Sequence, residues 1–158
     1  MPGKKSRSHQ PLEGIISINT RAVGYVTLPK LEKDVEISTG DLNTALHGDT
    51  VSILLHPHTS GERQKGEVVK ILKRARETFV GVVEHERDIC YVKPDDKHVY
   101  VDIIIPKVNS KNVVTGTKVL VKLTHWADPE RNPEGEVVKV LGKKGEHEVE
   151  MHAIILEY

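Results

Sequence analysis

The sequence predicts an all-β protein of two tandem five-stranded barrels with a short C-terminal helix. Two observations predict it. The first is internal repetition. Gly66-Glu67-Val68-Val69-Lys70-Ile71-Leu72 returns 69 residues later as Gly135-Glu136-Val137-Val138-Lys139-Val140-Leu141. Three more segments return in the same order, at offsets of 67, 66 and 68. Gly14-Ile15-Ile16 returns as Gly81-Val82-Val83, and Val23-Gly24-Tyr25-Val26 as Ile89-Cys90-Tyr91-Val92. Gly48-Asp49-Thr50-Val51 returns as Gly116-Thr117-Lys118-Val119. Small loop insertions produce such a drift. Two copies fit paired domains better than a solenoid, which needs three or more repeats. The second observation is that each copy is a series of short β-branched runs separated by turn-forming residues.

The elements follow in chain order. Residues 1–13 carry Lys4, Lys5 and Arg7 with almost no apolar anchor and are expected to be a disordered basic tail. The first copy, 14–74, reads as strands at 15–18, 23–28, 35–37, 51–55 and 68–71. Asn19-Thr20, Pro29, Thr39-Gly40-Asp41, His47-Gly48-Asp49 and the stretch 57–66 break them. After a linker at 75–78, the second copy, 79–142, reads as strands at 80–85, 88–93, 99–105, 117–124 and 135–141. Between the third and fourth strands, 41–46 suits one helical turn and 108–114 a loop. Five strands with an excursion after the third describe a small closed antiparallel barrel of the OB type, since closure removes exposed edges. A β-sandwich would want about seven strands per unit. In the last segment, 143–158, Val149, Ala153 and Leu156 fall at i, i+4 and i+7, the mark of a short amphipathic helix. It reads as a lead into a domain the sequence does not contain.

Composition narrows the function. At 37% hydrophobic and 29% charged residues, wholesale disorder is excluded. With 4% aromatic residues, the core must be aliphatic. No apolar run approaches the ~20 residues of a membrane span, so no membrane partner is expected. A single cysteine, Cys90, excludes a disulfide framework and suits a cytoplasmic protein. It stands where the first copy has Gly24, and reads as a small buried hydrophobe. Lysine and arginine number 23, as do aspartate and glutamate, so any anionic partner must be met by local clusters. The densest is Lys70, Lys73, Arg74 and Arg76. His56 and His58 flank Pro57 without a third ligand at a regular spacing. His47 reads as a turn former beside Gly48. Trp126 reads equally as a contact residue or as a cap on the barrel end. Asp95-Asp96 and Asp34/Glu36 lie on turns and strand edges, and no nucleophile–base pair is present, so no catalytic residue is predicted.

In the second strand, Ala22, Gly24, Val26 and Leu28 would point inward, and Val23 and Tyr25 outward. The segment Arg21-Ala22-Val23-Gly24-Tyr25-Val26 resembles the first RNA-binding motif of cold-shock domains, and Asp34-Val35-Glu36-Ile37-Ser38 resembles the second. Further motifs follow in order: Gly14-Ile15-Ile16, His47-Gly48-Asp49, the repeated Gly-Glu-Val-Val, Val92-Lys93-Pro94-Asp95-Asp96, Asp102-Ile103-Ile104-Ile105-Pro106 and the end from Glu150 to Tyr158. Together they resemble the amino-terminal half of the ribonuclease R and ribonuclease II family over about 14–158. The resemblance implies a single-stranded RNA partner. Tyr25 and Tyr91 would stack bases, and Arg21, Lys93 and the Lys70, Lys73, Arg74, Arg76 cluster would meet phosphates. It also implies a parent 3′-to-5′ exoribonuclease whose separate catalytic domain holds magnesium on clustered aspartates. That acidic cluster has no counterpart here, so the chain is expected to be non-catalytic and without a cofactor of its own. Val23, Glu36, Ile89 and Ile104 stand where further outward aromatics would be expected. Weak, sequence-tolerant binding is therefore anticipated. The alternative is a protein-interaction module that docks through its C-terminal helix onto the missing catalytic domain or another protein.

Overall fold

The computed structural model describes residues 10–58 and 61–157. The chain divides into two units, Met1–Arg76 and Glu77–Tyr158. In the first, strands β1 (Leu12–Ile18), β2 (Gly24–Val26), β3 (Val35–Ile37), β4 (Thr50–Leu55) and β5 (Lys65–Lys73) close into a barrel in the order β1-β2-β3-β5-β4. In the second, β6 (Thr78–Glu86), β7 (Ile89–Pro94), β8 (Ile103–Ile105), β9 (Thr117–His125) and β10 (Glu134–Lys143) close in the same order. Helix α1 (His147–Glu157) follows. The tandem five-stranded barrels and the closing helix are as the sequence predicts.

The interiors are aliphatic apart from Phe79. Ile16, Ile18, Val26, Val35, Ile37, Val51 and Ile53 fill the first barrel; Phe79, Val83, Val92, Ile103, Val119 and Val121 fill the second. Each such side chain contributes about 1.5–3 kcal/mol by leaving water. Closure is completed by a very short parallel pairing. β3 meets β5 through Glu36↔Lys65 and Ile37↔Gly66, and β8 meets β10 through Ile104↔Glu134. The recurring glycine explains itself here. A Cβ on Gly66 would lie 2.7 Å from the Leu54 carbonyl oxygen, and one on Gly135 would lie 2.7 Å from that of Lys122. Backbone cannot yield at that distance, so both copies keep glycine.

Four local expectations need correction. Leu12 and Glu13, assigned to the tail, belong to β1 and pair with Ile53 and Ser52; residues 1–9 of that tail lie outside the described residues. The third strand of the second barrel is Ile103–Ile105 rather than 99–105, because the Asp96 carboxylate accepts the His98 amide at 2.9 Å and folds the preceding residues into a turn. The helical turn expected at 41–46 is a 3-10 turn at Thr39–Asp41, and the start of the loop expected at 108–114 is taken by an equivalent turn at Lys107–Asn109. Ala22 is not a strand residue: it has φ 62°, and the Asn19 side chain accepts the amides of Arg21 and Val23 at 2.9 and 3.1 Å. β2 therefore begins at Gly24.

One buried carboxylate organises the lower end of the first barrel. Asp49 is 1% exposed. Its Oδ2 accepts from the Leu46 amide at 2.8 Å and from Arg74 Nη1 at 2.6 Å; its Oδ1 accepts from the Ala75 amide at 2.9 Å. Gly48, at φ 90°, lets the chain reach this position, and His47 Nδ1 accepts the Ile18 amide at 2.9 Å. In the second barrel a buried lysine plays the comparable part. Lys118 is 5% exposed, and its Nζ donates to Asp95 Oδ2 at 2.7 Å and to Glu150 Oε1 at 2.6 Å. Glu150 also accepts the Gly145 amide at 2.8 Å, so α1 is fastened to β9 by charge while Val149 and Ala153 bury its apolar side.

The ion pairs set a pH window. Lys118's hydrogen bond, then the Gly145 amide, holds the Glu150 carboxyl below its usual range. Burial alone would push the Lys118 ammonium down, but its two carboxylate hydrogen bonds outweigh burial and hold it above its usual range. A depressed carboxyl stabilises the fold above its unfolded titration and loses that contribution as pH falls through its folded value; a raised ammonium loses its contribution only as pH rises past the ordinary lysine range. The helix attachment is thus constant across neutral pH and fails on the acid side. Thermal melts of wild type should fall below the ordinary glutamate range, and Glu150→Gln should lower the neutral-pH melting temperature while flattening that acid limb. Asp49→Ala leaves Arg74 and two amides without their acceptor and should cost about 3 kcal/mol or more in urea denaturation of the first barrel.

Candidate nucleic-acid interface

Because strands alternate, one row of outward residues crosses each barrel. In the first barrel the register places Ser17 opposite Tyr25, Tyr25 opposite Glu36 and Glu36 opposite Lys65. In the second the same row reads Glu84, Tyr91, Ile104, Glu134. The scaffold is shared, so the two rows can be compared position by position.

Over Tyr25 stands Arg63, its guanidinium carbon 5.6 Å from the ring centroid. Arg63 Nη1 donates to the Asp34 carbonyl at 3.1 Å, and its Nε lies 3.9 Å from Glu36 Oε1. The guanidinium is thus held beside a half-buried tyrosine, with exposed Lys65 two strands away. In the second barrel Asn132 makes the equivalent tie, donating to the Asp102 carbonyl at 3.0 Å, but it is too short and uncharged to cover Tyr91. The Tyr91 hydroxyl instead donates to Glu84 Oε1 at 3.3 Å. Burial first, then the Glu84, Glu86 and Asp102 carboxylates, hold the Tyr91 phenol above its usual range. Burial also raises the Asp102 carboxyl, with Glu84 adding to it and Lys93 opposing it. Tyr25 thus has Arg63 over its ring with Glu36 and Lys65 along its row, whereas Tyr91 is surrounded by acids and one lysine.

The sequence-predicted residues fall into separate groups. Tyr25 and Tyr91 occupy the outward positions expected of them. Lys93 is exposed on β7, beside Tyr91's row. Arg21 is exposed on the β1–β2 turn. Lys70 and Lys73 are exposed on β5, five and eight residues beyond Lys65, which is about 16 and 26 Å along a strand, so they do not converge on Tyr25. Arg74 is not a free backbone contact: it is bound to Asp49 and to the Thr44 carbonyl, at 2.6 Å each. Arg76 is half-buried and already engaged. The predicted cation cluster is therefore not one surface, because β5 runs through to Lys73 and its end folds back on Asp49. Arg63 and Lys65 were missed. The signal was the parallel register of β3 and β5, which no local pattern announces.

Other candidates have structural partners. His56 pairs with Glu67 at 3.2 Å, and His58 meets the Glu62 carbonyl at 2.6 Å. Trp126 Nε1 donates to the carbonyls of Asp128 and Arg131 at 3.2 and 2.9 Å, and its ring lies 6.3 Å from that of Tyr100. Cys90 is buried, and burial pushes its thiol up. Among the described residues, no three His, Cys, Asp or Glu side chains come together as a metal site. Among them, too, no helix is long and apolar enough to cross a membrane.

Comparison with known proteins agrees with this geometry. Residues 14–71 match the Ribonuclease B OB domain, and residues 91–158 match the Cold shock domain. The chain carries the tandem OB and cold-shock domains of the ribonuclease R and ribonuclease II family. Ribonuclease R of Thermotoga maritima is 27% identical over 137 residues, which is 85% of this chain but 19% of that protein. Ribonuclease R of Mycoplasma genitalium, solved in complex with ribose-methylated single-stranded RNA, superposes with a TM-score of 0.79 at 23% identity, over 92% of this chain and 24% of that one. A yeast pseudonuclease gives the same TM-score at 20% identity, over 98% of this chain and 25% of its own. At these identities the solved structures establish the shared fold. The ribonuclease R-like chain thus carries the family's tandem barrels and spans about a fifth of the Thermotoga relative. Its second tyrosine is the one in an acidic setting. Glu84→Gln should lower the Tyr91 phenol toward its usual range without reaching it, since burial remains; ultraviolet titration against Tyr91→Phe measures this.

Proposed function

We propose that this chain is the single-stranded RNA-binding module of a ribonuclease R-like 3′-to-5′ exoribonuclease, non-catalytic in itself, and that its first barrel carries the binding. The observation that carries the reading is the Arg63–Tyr25 pair with Lys65 on the same outward face. A tyrosine ring accepts a base by stacking, worth about 1–3 kcal/mol per base, and a neighbouring guanidinium adds both a stacking plane and a phosphate partner. The relative solved with single-stranded RNA shares this fold, which supports the reading. Tyr91 sits at the equivalent position, but Glu84, Asp102 and Glu134 oppose a phosphate backbone there. We therefore assign the second barrel a minor share, and Tyr91 and Lys93 with it. Binding is weak and tolerant of sequence, because a stack reads a base's π-face rather than its edge.

Anisotropy titration of a labelled oligouridylate tests it. Tyr25→Ala should weaken binding roughly 5- to 150-fold, the equivalent of one lost stack, while Tyr25→Phe retains most of it. Tyr91→Ala should change it far less. Arg63→Ala should make the salt slope shallower by about 0.7, the contribution of one phosphate contact on a single strand. Salt-independent binding, or an inert Tyr25→Ala, would refute the assignment.

A further inference from the structure

The two barrels differ at one end, and the difference opens a cleft. In the first barrel the segment between β3 and β4 plugs the end with Leu42, Ala45 and Leu46, which are 1%, 0% and 4% exposed. The equivalent segment between β8 and β9 has Ser110, Val113 and Val114 at those positions, 68 residues on. Ser110 is buried but short, and Val114 is 70% exposed. The hairpin side changes as well: buried Ile18 of β1 corresponds to exposed His85 of β6. What leucines fill in one copy is therefore open in the other. The result is a cleft of about 490 Å³, with Cys90, Ile105 and Ser110 among its innermost residues.

Its chemistry has two parts. Val113, Val114, Ile105 and Cys90 give an apolar lining. Around them stand Lys107, Asp88, Asn112 and His85, which supply a cation, an anion, a carboxamide and an imidazole. The His85 ring meets Thr115 Oγ1 at 2.9 Å through Nδ1, and this ties the two walls together. Ser110 Oγ is satisfied within its own loop, donating to the Lys107 carbonyl at 3.0 Å and accepting the Asn112 amide at 3.1 Å, so the inner end demands no polar ligand. The volume falls within the ~300–1,000 Å³ range of small-molecule sites, which combine apolar walls with a few placed polar groups. A flat heterocycle with polar edges and an attached anion matches that set: the valines offer its ring an apolar wall, Asp88 and Asn112 offer hydrogen-bonding partners to its edges, and Lys107 offers a counter-charge to the anion.

We propose that this cleft of the second barrel binds a single nucleotide, base inward and phosphate toward Lys107. It is built on β6, β7 and the β8–β9 segment, and owes nothing to the Tyr25 face of the first barrel. The site therefore stands or falls apart from the RNA reading above. A nucleotide reaches it either free or as one unit of a strand, and the chemistry of the site is the same for both.

The whole chain supplies its own reporter, since Cys90 is its single cysteine. Adenosine 5′-monophosphate and uridine 5′-monophosphate are titrated while methyl resonances of Val113, Val114 and Ile105 and the alkylation rate of Cys90 are followed. At least one nucleotide should give saturable shifts and slow alkylation several-fold. Ser110→Leu, which restores the first barrel's plug, should abolish both effects; a thermal melt checks that it folds. Lys107→Glu, on the surface, should weaken the nucleotide about tenfold and leave the nucleoside unchanged. Tyr25→Ala should alter none of this. An oligouridylate blocked at both ends reports the source: the same shifts mean a strand unit, and silence beside a responding mononucleotide means the free form. The proposal is overturned if no nucleotide saturates, if ribose 5-phosphate binds as well as the nucleotides, or if folded Ser110→Leu binds unchanged.

Discussion

Everything in each barrel rests on a parallel contact only one or two residues long. The third strand reaches the fifth through Glu36↔Lys65 and Ile37↔Gly66 in one unit, and through Ile104↔Glu134 in the other. That contact requires a glycine as the second residue of the closing strand, because the carbonyls of Leu54 and Lys122 already occupy the space. Once it forms, the sheet has no free edge. It also brings Lys65, and with it Arg63, to the face that Tyr25 occupies. A packing constraint at the seam thereby decides which charges stand beside the aromatic.

The same frame carries opposite electrostatics in the two copies. Arg63 and Asn132 make the same tie to the carbonyl of the residue just before the third strand, yet only the arginine extends over a ring. Lys65 is answered by Glu134, and Ser17 by Glu84. The two copies match in the glycines that close the barrel and differ along its outer row. The physical outcome is a difference in charge: Arg63 and Lys65 stand with Glu36 beside one tyrosine, whereas Glu84, Asp102 and Glu134 stand around the other.

Much of this was legible in the sequence. The repeat of Gly66–Leu72 at Gly135–Leu141 reports the seam, because the same steric demand acts twice. The alternation around Tyr25 and Tyr91 reports which side chains face out, and the spacing of Val149 and Ala153 reports the helix. What was not legible depended on contacts between distant segments. Arg74 looked like one more linker cation until Asp49, 25 residues earlier, claimed it. Lys118 gave no local sign of the pairing with Asp95 and Glu150 that fastens the helix. The strand expected at 99–105 was shortened by a side chain, Asp96, competing for a backbone amide.

The difference between Gly24 and Cys90 is matched by a difference in their surroundings. A methyl on Gly24 would press within 2.7 Å of Ile16 and 3.0 Å of Leu42. The copy that accepts the larger residue has Val83 and Ser110 at those two places, so bulk gained at one point was surrendered at two others. Size at this strand position is thus coupled to size on the neighbouring strand and on the end plug: a side chain at Gly24 needs Ile16 and Leu42 to give way, whereas Val83 and Ser110 already leave that room for Cys90.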